Sequence, residues 1–369
     1  MSELKPSAGE SNPVKVLVVG CGRMGISHAK AYCNNPGFKL VGAVSRSMAS
    51  IDQLRDAVAI PDLPARMDLS SALDELMPDA VCIATYPETH ASFSLAALRK
   101  GAHVFVEKPL APSVEEAQEV IAAARENGKK LVVGYILRHH PSWTRFVELA
   151  QTLGKPLVLR MNLNQQSFGE DWRIHLNLMR SMSPIVDCGV HYIDVMCQIT
   201  GARPQFVHAI GARLSAEISP GQVNYGQLQV GFSDGSVGWY EAGWGPMMSQ
   251  EAFFVKDVIG PRGAVSLVAT KIAEQSGEIE GHTKTGAIRL HHAPLGADGK
   301  FLKADELIDT SNEPDHDALC ALEQDFFLQS IRGDISLDRH LEDAIRSLQV
   351  VLAADRSIHE GCRVNITDL

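Results

Sequence analysis

No apolar run in this 369-residue chain approaches the roughly 18 residues that a membrane-spanning helix needs. The opening stretch, Met1 to Pro13, is polar and lacks the basic start and apolar stretch of a secretory signal. These absences predict a cytoplasmic location, with flexibility confined to the chain ends. Positive charge is scarce as well: 34 Lys and Arg stand against 44 Asp and Glu, a formal net charge of -10. Nucleic acid and anionic membranes both need clustered basic residues, so neither is expected as a partner. The seven cysteines, Cys21, Cys33, Cys82, Cys188, Cys197, Cys320 and Cys362, are odd in number and contain no C-x-x-C pair. That scatter excludes a disulfide framework and predicts reduced, mostly buried thiols.

Catalytic and metal motifs of local spacing are missing too. Fourteen histidines occur, yet no H-E-x-x-H is found. His139-His140 and His291-His292 are adjacent pairs whose side chains diverge, and Asp315-His316-Asp317 reads as a helix start with acidic residues favouring the dipole. No metal is therefore expected. Nucleophilic catalysis has no support, because no G-x-S-x-G elbow occurs.

What is present is an ordinary globular composition, 45% hydrophobic and 21% charged, long enough for about two domains. Short apolar, β-branched runs at Val14–Val19, Leu40–Val44, Ala80–Thr85, Val104–Val106 and Leu131–Val133 alternate with stretches of helical spacing. Alternation of this kind predicts a parallel sheet. Ser113 with Glu116 makes a capping box ahead of Ala117, Val120, Ile121 and Ala124 on one face, and Asn127-Gly128 closes that helix. Beyond Pro156 the runs lengthen and alternate: Leu157–Leu163, Gln205–Leu214, Gln227–Phe232 and Val237–Trp244, the last two joined by the hairpin signal Ser233-Asp234-Gly235. This half reads as an open, largely antiparallel sheet. Gln275 to Lys303 reads as loops or edge hairpins, and amphipathic helices over about Asp317–Arg332 and Leu341–Glu360 end the chain.

The first apolar run breaks at Gly20-Cys21-Gly22-Arg23-Met24-Gly25 and continues into helix-compatible sequence. In a strand-turn-helix, the first glycine turns the chain, the second lets backbone approach a pyrophosphate, and the third lets helix pack on strand. The phosphates then sit at a helix N-terminus, where free N–H groups and the macrodipole favour anions. About twenty residues on, where a carboxylate would hold the adenosine ribose, stand Ser45-Arg46-Ser47. A serine and a guanidinium can donate to a 2′-phosphate, which favours NADP over NAD. Arg46 as a solvated loop residue is the competing reading.

Lys108 ends an apolar strand in Glu107-Lys108-Pro109. A lysine at the carboxyl end of a parallel strand sits where open α/β sheets bind ligands, within reach of cofactor ribose and a substrate hydroxyl. Asp187 and His191 are four apart in a run of helical spacing, so one helix face carries both. Histidine suits acid-base work near neutral pH, and a neighbouring carboxylate can orient it.

The glycine loop, the segment Ala96 to Pro109 (AALRKGAHVFVEKP) and the Asp187/His191 pair together resemble the glucose-fructose oxidoreductase, inositol dehydrogenase and rhizopine-catabolism (Gfo/Idh/MocA) family over nearly the whole chain. The resemblance implies a Rossmann domain, here residues 14–140, followed by an α/β domain over 141–369 that binds substrate and forms the subunit contact of a homodimer or homotetramer. It implies that Lys108 is catalytic, that the Lys108–Pro109 bond is cis, and that a sugar or polyol is the substrate. Thr85, Pro87 and His90 are placed near ribose or nicotinamide, with His90 as a helix cap the alternative. Arg138 and Tyr135 are placed at the cleft edge, and Trp172-Arg173 over the nicotinamide or, alternatively, as a packed Trp beside a surface Arg. A hydride-transferring dehydrogenase or reductase follows, with a cofactor-binding sensor of the same fold as the other class.

Overall fold

The structure is a computed structural model that describes residues 12–249, 254–268, 285–333 and 335–366. All but the last two residues of the Met1–Pro13 segment lie outside that set, as does the Gln275–Lys303 stretch up to residue 284.

The alternating half folds as its apolar runs predict. Strands β1 (Val14–Val19), β2 (Phe38–Val44), β3 (Ala65–Arg66), β4 (Ala80–Ile83), β5 (His103–Glu107) and β6 (Leu131–Gly134) form a parallel sheet in the order β3-β2-β1-β4-β5-β6. The central strands β1 and β4 are buried except at Lys15, because helices cover both faces of such a sheet. These helices are α1 (Arg23–Asn34), α2 (Met48–Val58), α3 (Leu69–Leu76), α4 (His90–Arg99) and α5 (Val114–Glu126). Their caps match local chemistry. Ser113 Oγ accepts from the Glu116 backbone N–H at 3.2 Å, and Gly128 follows the helix at φ +62°.

The chain crosses through α6 (Pro141–Gln151) into a nine-stranded sheet. Its strands are β7 (Val158–Gln166), β8 (Pro204–Ala212), β9 (Tyr225–Phe232), β10 (Val237–Gly245), β11 (Lys256–Gly260), β12 (Gly263–Val268), β13 (Ala287–His292), β14 (Glu306–Asp309) and β15 (Val364–Asn365). The order is β14-β13-β12-β11-β7-β10-β9-β8-β15, with all neighbours antiparallel except β7 and β10. Between β7 and β8 lie α7 (Gly169–Leu178), α8 (Pro184–Asp187) and α9 (Gly189–Thr200). The expected hairpin turns at Gly235, φ +83°, and β13, within the Gln275–Lys303 stretch read as loops or edge hairpins, pairs with β14 just beyond it at the sheet edge.

The last two helices, α10 (His316–Arg332) and α11 (Asp338–Glu360), return to the first sheet. Asp315 caps α10 by accepting from the Ala318 N–H at 2.8 Å. Tyr32 of α1 donates to Gln324 of α10 at 2.6 Å, and Tyr135, just after β6, shares a 2.9 Å hydrogen bond with Ser347 of α11. All seven cysteines are free thiols, five of them buried. Among the described residues, no helix is long and apolar enough to cross a membrane.

Candidate active site

A cleft of about 790 Å³ lies at the carboxyl end of the parallel sheet, between that sheet and α7 to α9. Open α/β sheets bind ligands at this end, where strand order reverses, and here the reversal falls between β1 and β4.

The glycine loop forms one wall, and its three glycines meet three different demands. Gly20 has φ +98°, and a Cβ there would stand 2.3 Å from the Ala84 carbonyl oxygen. A Cβ on Gly25 would stand 1.8 Å from the Gly20 carbonyl oxygen, so this glycine lets α1 pack against the loop. A Cβ on Gly22 would meet nothing within 4 Å. Gly22 therefore faces open space at the start of α1, whose first turn has no side-chain cap. Backbone N–H groups left free around an open glycine suit a pyrophosphate, so the loop fits a dinucleotide.

Arg23, Met24, Ser45 and Arg46 line the same wall, with Thr85 and Pro87 from the loop after β4. Thr85 Oγ1 is 2.7 Å from Thr89 Oγ1, which fixes that loop's first turn. Asp68, a carboxylate at this end, is occupied as the cap of α3, accepting from the Ser71 N–H at 2.9 Å and from its hydroxyl.

Lys108 follows β5, and the Lys108–Pro109 bond is cis. Its ammonium donates to Asp187 Oδ1 at 3.0 Å and to the Asp187 carbonyl oxygen at 3.1 Å. Burial pulls the lysine pKa down. The Asp187 carboxylate, helped by Cys188 and Glu107, outweighs this and leaves it above its ordinary value. Lys108 is thus a charged donor at neutral pH. Glu107 is opposed by burial, but its 2.7 Å contact with His28 Nε2 and the charges of His28 and Lys108 lower its pKa. His191 lines the cleft and meets the Tyr135 ring edge-on at 5.9 Å.

Asp187 and His191 reach the cleft together, from two helical segments that meet at Cys188, whose backbone stays helical at φ −84° and ψ −35°. Asp187 ends α8, and His191 lies in the first turn of α9. The carboxylate expected to orient His191 is engaged by Lys108 instead.

Four expected ligand residues stand elsewhere. His90 is fully buried and braces two loops, with Nδ1 2.7 Å from the Pro109 carbonyl and Nε2 3.0 Å from that of Thr85. Arg138 lies under the cleft and pairs with Asp194 and Asp343, while Tyr135 is buried beside it. Trp172 is buried, its indole N–H donating to Glu217 at 3.2 Å, and Arg173 is 74% exposed and pairs with Glu170.

Residues 14–135 match the family described as "Oxidoreductase family, NAD-binding Rossmann fold", and residues 149–265 match the "GFO/IDH/MocA C-terminal domain". The chain belongs to the Gfo/Idh/MocA family. One relative of this Gfo/Idh/MocA chain is the scyllo-inositol 2-dehydrogenase (NAD(+)) of Bacillus subtilis, 26% identical over 96% of both chains. Another is the D-glucoside 3-dehydrogenase of Escherichia coli, 26% identical over 53% of this chain and 56% of that one. The fold is similar to that of apo scyllo-inositol dehydrogenase from Lactobacillus casei, with TM-score 0.74, 19% identity, and 96% and 99% of the two chains covered. The chain is thus an oxidoreductase of this family with an NAD-binding Rossmann fold.

The Gfo/Idh/MocA cleft also holds residues that sequence reading missed. Asp171, Ile174, His175 and Leu178 of α7 line it, at the i, i+3, i+4, i+7 spacing of one helix face. Trp172 and Arg173 fall on the other faces of that helix. In the sequence, Gly169 ahead of Glu170 and Asp171 marks only where this helix starts. Gln165 and Gln166 extend β7 past Leu163 into the cleft, and the amides of this run marked a strand end turned towards polar company.

Proposed function

We propose that this protein transfers hydride between a nicotinamide and a secondary alcohol or ketone of a sugar, a polyol or a related compound. One observation carries the reading: Lys108 is anchored by Asp187 in the cleft that the glycine loop and His191 share. An ammonium has three N–H donors, and Asp187 engages two of them through its carboxylate and its carbonyl. The third is left for the substrate oxygen, which Lys108 polarises as a fixed positive charge. His191 takes the hydroxyl proton in oxidation and returns it in reduction. A nicotinamide held in this cleft would serve as the hydride acceptor or donor. Asp187 holds Lys108 in register and positions neighbouring hydroxyls.

The first domain, residues 14–140, binds the dinucleotide, with Glu107 and Lys108 at its inner end and Ser45 with Arg46 at its adenosine end. Ser45 and Arg46 in the cleft wall support NADP as the favoured cofactor, since both can donate to a 2′-phosphate. Residues 141–369 bind substrate and join subunits as a homodimer or homotetramer in the cytoplasm.

A panel of polyols, aldoses and keto-sugars with NAD+ and NADP+, followed at the absorbance of the reduced nicotinamide, tests this. Lys108→Ala and His191→Ala should each cut turnover by about 10²–10⁴-fold while dinucleotide binding survives. Arg46→Ala should reduce efficiency with NADP+ more than with NAD+. Near-normal turnover in either catalytic variant refutes the role assigned to that residue. Tight dinucleotide binding with no turnover across the panel points instead to a sensor or to exchange on a retained cofactor.

A further inference from the structure

The substrate half of the cleft contains a second imidazole that the reaction above leaves without a task. The His175 ring lies parallel to Trp244, 4.3 Å between centroids and 7° between planes. Its Nδ1 is 2.9 Å from the Ser167 hydroxyl. Trp244 is itself fixed, because its indole N–H donates to Gln165 at 2.8 Å. Both torsions of His175 are thus held by groups that are anchored in turn. Its other nitrogen, Nε2, has no hydrogen-bond partner among the described residues, and the side chain lines the cleft. Burial pulls the imidazole down to about 4, against the opposing pull of Asp187 and Asp171. At neutral pH it offers a hydrogen-bonding nitrogen and no charge.

Charge accounting in the cleft points the same way. Lys108 is engaged by Asp187, Arg23 is paired with Asp171 at 3.1 Å, and Arg46 stands at the far, adenosine end. Lys256 does not line the cleft; it lies behind Tyr192, 5.4 Å from that ring and 4.1 Å from Phe254, and burial pulls it down to about 7. Among the described residues, no lining arginine or lysine remains uncommitted near Lys108 to receive a phosphate or carboxylate. An anion there would lose its hydration without gaining a counter-charge.

We propose that His175 is a specificity-determining residue that reads one hydroxyl of an uncharged, polyhydroxylated ring, next to the carbon presented to Lys108 and His191. The stacked pair gives this reader a fixed direction, and the ring it reads carries no phosphate, carboxylate or nucleotide. The inference rests on the dehydrogenase reading for the position of the reacting carbon, but its readout is binding.

Calorimetry on the dinucleotide-loaded protein tests it, with inositols, methyl glucosides and their monodeoxy analogues set against glucuronate, glucose 6-phosphate and UDP-N-acetylglucosamine. The neutral rings should bind at least about tenfold more tightly than the charged compounds. His175→Phe keeps the stack on Trp244 but removes both nitrogens. It should weaken the best neutral ligand about tenfold, the scale of one hydrogen bond. In that variant the analogue lacking the hydroxyl that is read should bind as well as its parent, whereas the wild type should separate the two. His175→Gln should recover part of the loss, an outcome that mere packing would not give, and it carries the comparison if the Phe variant does not fold. Binding within twofold of wild type across the panel in His175→Phe overturns the inference. So does tighter binding of the charged compounds, or no binding by any neutral ring. Turnover with binding unaffected by His175→Phe leaves the dehydrogenase and removes the reader. Weakened binding in a protein without turnover does the reverse.

Discussion

Arg138 lies beneath the cleft with its guanidinium shared between two carboxylates. Nε donates to Asp194 at 2.8 Å, and Nη2 donates to Asp194 at 2.5 Å and to Asp343 at 2.9 Å. Removing it would leave buried Asp194 without a counter-charge, which costs about 3–5 kcal/mol, while Asp343 keeps Arg346 and Arg339. Arg138→Met should therefore lower the unfolding temperature sharply while the dinucleotide Kd stays put. A weaker Kd at normal stability would return Arg138 to the cofactor site. Glu323 of α10 is in the opposite position. It is 1% exposed, and neither carboxylate oxygen has a hydrogen-bond partner among the described residues. Burial, reinforced by Glu107, pushes its pKa well up from 4.5. The folded chain holds this proton more tightly than the unfolded one, so the group's stability is complete below the unfolded pKa and drains away as pH rises above it. Glu323→Met should add about 1–3 kcal/mol near neutral pH and flatten the fall of Tm with rising pH. A methionine variant less stable at every pH would mean that the carboxyl is satisfied after all.

At the scale of the element, the strand-turn-helix that opens the first domain separates folding from binding. A Cβ on Gly25 collides with the Gly20 carbonyl, whereas one on Gly22 meets open space in the cleft. Gly25→Ala should therefore unfold or markedly destabilise the protein, while Gly22→Ala should leave Tm within a degree or two, roughly, as for a surface change. Its cost should appear in dinucleotide affinity, because the added methyl occupies the space of a pyrophosphate. Equal loss of stability in both variants would remove that assignment. This loop was legible in the sequence because each glycine answers a local steric demand. The partition of α8 from α9 was not. The run from Val186 to Met196 keeps helical spacing and Cys188 keeps helical angles, φ −84° and ψ −35°, so the local sequence carries no mark of the break. Close packing is visible at the next residue, where Gly189 lies against Val351 and Tyr240. Likewise Arg138 read as a cleft residue because its partners, Asp194 and Asp343, lie 56 and 205 positions away. His175 went unread because its value comes from Trp244, which folding brings beneath it.

For the whole molecule, the nine-stranded sheet has one face that helices cover and, among the described residues, one that no helix covers. Leu159, Met161, Val230, Tyr240 and Val258 are buried on the inner side, where α9 and α11 pack. On the outer side Val158 pairs in register with Val237 and with Ile259, so three aliphatic side chains adjoin across β10, β7 and β11. Their relative exposures are 47% for Val237, 41% for Val158 and 40% for Ile259. Leu307 lies on the same side by register, since β14 pairs it with Arg289, which β12 and β11 connect through Ser266 and Asp257 to Arg160. An antiparallel sheet can leave one face in water, but it then alternates towards polar residues. Three adjoining exposed aliphatics beside the polar row of Arg160, Asp257, Ser266 and Arg289 make a patch suited to a partner surface, and a two-fold axis along the aliphatic row would set each of its residues against its own copy. This supports a homo-oligomer assembled on the open sheet, leaving the cleft, on the other side of the second domain's helices, free for ligands. Val237→Lys with Leu307→Lys would place like charges across such an axis. Light scattering should show the wild type at a multiple of the chain mass and the double variant at a smaller one, with dinucleotide affinity retained. A wild type that runs as a monomer would show that the row is simply exposed. An unchanged oligomer in the double variant would move the contact to another face.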